Sequence, residues 1–88
     1  MSRFKDIYVN KDNFFSIGID TLDNRYYISI PLTIGIADYE EHYIINDDMF
    51  SNYPNNLDEV IRFVDDCKNR KNDQYLIDDV WVNRGVPY

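Results

Sequence analysis

Alternation of apolar and polar residues marks three stretches of this chain as half-buried β-strands. Over Asn13–Thr21, Phe15, Ile17 and Ile19 fall on one side with Ser16, Gly18 and Asp20 opposite, the period of two that a strand imposes. Leu22-Asp23-Asn24 makes a short polar turn. Arg25–Leu32 follows, with Tyr26, Ile28, Ile30 and Leu32 on one face, and the two runs read together as a hairpin. Pro31 carries no N–H, which argues for an edge or a strand end rather than the sheet centre. After a turn at Gly35, Asp38–Ile45 alternates less cleanly. Tyr39, Glu41, Tyr43 and Ile45 are expected inward, with Glu41 at the margin, and Asp38, Glu40, His42 and Ile44 outward.

The period then changes. Asn46 is a helix cap for a short turn through Asp47, Asp48, Met49 and Phe50, closed by Pro54. A longer helix is predicted from Leu57 to Arg70. Leu57, Val60, Ile61, Val64 and Cys67 recur at helical spacing and form one apolar stripe. Asn56 is its expected N-cap, with Glu59 placed to reach back in a capping box. Asp58 and Glu59 sit at the positive end of the helix dipole, and Lys68, Arg70 and Lys71 at the negative end. Gln74–Asp78, built on Tyr75, Leu76 and Ile77, is expected as a fourth short strand, and Asp79–Tyr88 as an extended tail. The fold expected is α+β: a small antiparallel sheet of three to four strands in β-β-β-α-β order, one main helix on one face, in a single domain over residues 1–88.

At 88 residues the chain can bury one modest core. Eight Tyr, five Phe and one Trp supply much of its apolar area, and Tyr is also a side chain that interfaces favour. Sixteen acidic residues against nine basic give a net charge of −7, a balance that repels nucleic acid and anionic membranes and attracts a cationic partner. From Tyr26 to Ile61 the chain holds Asp38, Glu40, Glu41, Asp47, Asp48, Asp58 and Glu59 but no Lys or Arg. No apolar run is long enough for a signal peptide or a membrane span. A single cysteine forms no internal disulfide, and a cytoplasmic location is expected.

Catalytic patterns are sparse. Nucleophilic hydrolysis needs a nucleophile beside an oriented base, yet the only His, His42, lies on a strand and reads as a surface residue. Cys67 reads as a buried small thiol on the helix stripe. The pairs Asp47-Asp48, Asp65-Asp66 and Asp78-Asp79 lack the converging ligand pattern of a calcium loop, and zinc would need more His or Cys than the chain has. Asp58, Arg62, Asp66 and Arg70 step by four as a solvated ladder of alternating charge. Gly18, Gly35 and Gly85 are too scattered for a phosphate loop. The expectation is a protein that is not an enzyme and has no cofactor or metal site.

A binding surface remains. Asp38, Tyr39, Glu40, Glu41 and Tyr43, continuing into Asp47 and Asp48, combine carboxylates that steer a basic partner with phenols that supply contact area. The same charges would also serve to keep an edge strand from aggregating. In the tail, Trp81, Arg84 and Tyr88 belong to the residue types found at interface hot spots, although Trp81 is expected to fold back onto the small core rather than stand fully exposed.

Several segments together (Tyr26-Tyr27-Ile28-Ser29-Ile30-Pro31, Asp38-Tyr39-Glu40-Glu41, Phe63 to Arg70, Leu76-Ile77 and Asn83-Arg84-Gly85-Val86-Pro87) resemble short bacterial immunity proteins of contact-dependent growth inhibition systems. That resemblance implies stoichiometric binding of a toxin's C-terminal domain, often a basic nuclease, and it assigns no individual residues. The rival expectations are an acidic adaptor or subunit of a housekeeping complex, a nucleic-acid mimic that occupies a DNA-binding protein, and a small hydrolase using paired carboxylates.

Overall fold

The computed structural model describes residues 3–78 and 84–88. Strands β1 (Phe4–Asn10), β2 (Phe15–Asp20), β3 (Arg25–Ile34) and β4 (Ala37–Ile45) form an antiparallel meander in that order. Helices α1 (Asp47–Asn52) and α2 (Leu57–Lys68), a 3-10 turn (Asp73–Tyr75) and strand β5 (Val86–Pro87) come after it. The protein is thus an α+β domain, with a five-stranded sheet and two helices among the described residues. The expected strand and helix order holds broadly, with two changes at its ends.

The first change is β1, which the residue pattern did not announce. Its register against β2 slips between Asp6 and Tyr8, so a bulge inserts Ile7 and inverts the facing of the residues beyond it. Phe4 and Asp6 lie on one sheet face, whereas Tyr8 reaches the other, against Tyr53 and Phe50. A strand that changes face midway, and is exposed along most of its length, has no period-two signature. The second change concerns the last strand. Gln74–Asp78 does not run as one, because Asp73–Tyr75 turns and only Leu76 bridges to Tyr43. The tail instead supplies β5, which pairs with β3 at Leu32 and Thr33, extending the row that β2 leaves at Ser29.

One sheet face carries the core. Phe15, Ile17, Ile28, Ile30, Leu32, Tyr43 and Ile45 meet Val60, Val64 and Cys67 of α2, and all are nearly or fully buried. The helix stripe therefore does what its spacing predicts. Its ends differ from expectation in detail: Asn56 occupies the cap position but donates its side-chain amide to the Met49 carbonyl, so no capping box forms. Asn46, by contrast, caps α1 through Oδ1 and the Met49 N–H. Helix α2 stops at Lys68, and Arg70 takes a left-handed conformation (φ 60°) while the Lys71 N–H returns to the Asp66 carbonyl.

Burial pushes the Cys67 thiol up to about 12. The protonated thiol is a poor nucleophile. The folded protein at pH 8 is therefore expected to react with Ellman's reagent only as fast as the helix opens. Immediate labelling would mean that this face of α2 is uncovered.

Two ion-pair clusters fasten the sheet at its borders. Asp20, fully buried, accepts from Arg3 Nε and Nη2, each at 2.9 Å, and from Arg25 Nε at 3.1 Å, which ties the chain ahead of β1 to β2 and β3. Arg84 donates to Glu41 at 2.9 and 2.8 Å and to Asp73 at 2.8 Å, fastening the tail over β4. Close packing leaves no room for a side chain at Gly18: a Cβ there would collide with the Lys5 carbonyl and the Tyr27 hydroxyl.

Candidate functional site

Among the described residues no helix covers the second face of the sheet. Alternation puts Val9, Ser16, Tyr27, Ser29, Pro31, Thr33, Asp38, Glu40 and His42 there, and the strand registers align them in rows. One end of this face is closed. Phe4 stacks on the His42 ring (3.7 Å, 10°), Tyr27 meets both rings edge-on, and the Tyr27 hydroxyl donates to Asp6 at 2.5 Å. Burial, reinforced by Asp6, raises the Tyr27 phenol far above its ordinary value, so it stays a donor.

His42 is therefore not the surface residue expected from its place in the strand: Phe4 covers it. Asp78 accepts from its backbone N–H at 2.6 Å and lies 3.1 Å from Nδ1. With Ser29 directly across the ladder this makes a Ser–His–Asp grouping. It lacks the geometry of a hydrolytic triad, because Ser29 is fully buried and its hydroxyl points to Glu40 at 3.4 Å. Among the described residues no group of three or more His, Cys, Asp or Glu is placed to hold a metal ion.

The other end of the face is open, apolar and acid-rimmed. Phe14 stacks on Tyr88 (5.9 Å, 23°), and the Tyr88 hydroxyl donates to Asp38 at 2.5 Å, which raises the phenol's pKa. Val9, Phe14, Val86 and Tyr88 are exposed at this end, where Val9 and Phe14 line a groove of about 330 Å³ together with Pro31 and Glu40. Among the described residues no cation lies within ion-pair distance of Asp38 or Glu40.

The structure thus divides the residues singled out from sequence. Asp38 and Glu40 stand together on the open face. Tyr39 points to the helix-covered face and accepts from the Gly85 N–H at 2.7 Å. Glu41 and Tyr43 are buried at 4 % and 0 % exposure. They belong to the Arg84 cluster, in which the Tyr43 hydroxyl donates to Glu41 at 2.8 Å, and they present nothing to a partner. Burial, then Glu41, pushes the Tyr43 phenol strongly up. Asp47 and Asp48 are exposed in the first turn of α1, at the opposite end of β4 from Asp38. Trp81 lies outside the described residues.

Val9 and Phe14 complete the open face, and strand alternation alone does not single them out. The signal for Phe14 is its neighbour: two adjacent Phe at a strand start face opposite ways, so when one enters the core the other cannot. Among the described residues no helix is long and apolar enough to cross a membrane. Comparison with protein-family models, with curated proteins and with solved structures found no match.

Proposed function

We propose that this chain is a stoichiometric inhibitor of the immunity type, which binds a basic toxin domain through the open end of its sheet. One observation carries the reading: among the described residues, exposed apolar and aromatic side chains share a sheet face that no helix covers with carboxylates that no cation neutralises. Monomeric proteins seldom expose a contiguous apolar patch without a use for it. A net charge of −7, with no Lys or Arg between Tyr26 and Ile61, selects a cationic partner and speeds its approach. Exposed aromatic rings with polar, acidic neighbours fit the composition of an interface.

Tagged protein used as bait in the native strain, eluted with a salt step, is expected to yield a basic effector domain. A housekeeping complex in its place would end the immunity reading. With the captured domain in hand, Glu40→Lys is expected to slow association at low salt by roughly threefold to tenfold and to flatten its salt dependence. Glu40 is the fitting position because it is exposed, whereas Glu41 is committed to Arg84. An unchanged association rate would move the interface elsewhere.

A further inference from the structure

Phe14 breaks a local rule. It closes the β1–β2 turn with φ 53°, in the left-handed region where a bulky side chain is an outlier and Gly or Asn is usual. The turn itself does not need an aromatic ring. Asn10 organises it, accepting from the Asn13 N–H at 3.0 Å. Nor does the core need it, since Phe14 is 48 % exposed while Phe15 takes the interior position. A strained conformation that neither turn nor core requires points to use of the side chain where it stands.

The ring stands at the groove of the open face. Val9, Phe15 and Pro31 are apolar residues that also line it, with Ser16, Glu40 and Lys11. Lys11 makes no ion pair with Glu40 among the described residues. One aromatic ring, Phe14, lines the groove together with a carboxylate, Glu40, while Tyr88 stacks on that ring, and this combination suits one side chain above others. A guanidinium is planar, stacks on aromatic faces and forks onto a carboxylate, whereas an ammonium is a compact, strongly hydrated point charge. We infer that the groove between Val9, Phe14, Pro31 and Glu40 receives an arginine side chain of the partner, its stem on the apolar walls and its head at Glu40. This inference rests on the reading of the open face as a docking surface for a basic protein.

The test uses the full, isotope-labelled chain titrated with hexa-arginine and, separately, hexalysine, monitored by NMR. Shifts are expected at Val9, Phe14, Ser16 and Glu40, with the arginine peptide about threefold tighter. Phe14→Asn is expected to abolish that preference while leaving Tm unchanged or raised, since Asn adopts the left-handed conformation readily. Shifts centred on Asp47 and Asp48, or equal affinity for the two peptides, would overturn the assignment. So would a fall in Tm above about 10 °C for Phe14→Asn, which would make Phe14 a structural residue. Failure of the underlying reading looks different. If the groove prefers arginine and no basic protein is captured from the native strain, the toxin-binding role falls and the groove chemistry stands. If a basic domain is captured and binds wild type and Phe14→Asn alike, the groove assignment falls alone.

Discussion

Replacing Arg84 with Met is expected to cost about 3–5 kcal/mol of stability. The side chains of Arg84 and Glu41 are each only 5 % exposed, so losing the guanidinium strands a carboxylate where water cannot reach it. Asp73, the second acid on Arg84, is 41 % exposed and rehydrates, so its bond adds little. For a chain of 88 residues such a loss lowers Tm by roughly 15 °C or more. Adding Glu41→Gln to Arg84→Met should return part of the loss, because a neutral amide no longer carries a buried charge. A thermal melt of the two variants checks both statements. A fall below about 1 kcal/mol for Arg84→Met would mean that the tail is not fastened over β4.

The second large effect concerns acid. The guanidinium of Arg3, and after it that of Arg25, outweigh the penalty of burial and hold the Asp20 carboxyl well below its ordinary value of 3.8. The folded state therefore favours the ionised form. That stabilisation is complete above the unfolded value and is lost as pH falls below about 4 toward the folded one. Arg3 and Arg25 keep their charge throughout, so the change belongs to the carboxylate. Asp20→Asn is expected to reduce stability at pH 7 by about 2–3 kcal/mol, the loss of charge-assisted hydrogen bonds whose arginine partners can turn to solvent. Its urea-denaturation stability should then depend less on pH below 4 than that of wild type. Parallel curves for the two proteins would contradict this account.

Periodicity carried the middle of the molecule well. Ile17, Ile28 and Ile30 alternate cleanly because β2 and β3 are interior strands with one face against a helix, and Val60, Val64 and Cys67 keep the helix period for the same reason. The borders were harder to read because contacts distant in sequence decide them. A bulge at Ile7 hides β1, and Leu76 bridges β4 as a single extended residue just past the turn at Asp73–Tyr75. Glu41 shows the same limit within the site. Its strand phase points it inward and its charge outward, and the conflict is settled by Arg84, which lies 43 positions along the chain. Asp38 and Glu40 were legible as surface acids because nothing in the fold overrides their charge. The rings beside them come from the β1–β2 turn and the tail, elements that strand alternation leaves unplaced.

The tail's contacts also set an order of assembly. Each of the first four strands pairs with its neighbour in sequence, so their loops close over short distances and at low entropic cost. Glu41 can join that meander while still hydrated, and its burial must wait for Arg84 to arrive. Docking of residues 84–88 is therefore expected to be the late step of folding and, in reverse, the first to open. The amides of Gly85 and Tyr88 should exchange with solvent deuterium well before those of Ile28 and Tyr43. Each such opening frees the β3 edge at Leu32 and Thr33 and releases Tyr88 from Phe14 and Asp38. Opening of the tail is thus expected to set how much of the time the aromatic end of the sheet is assembled.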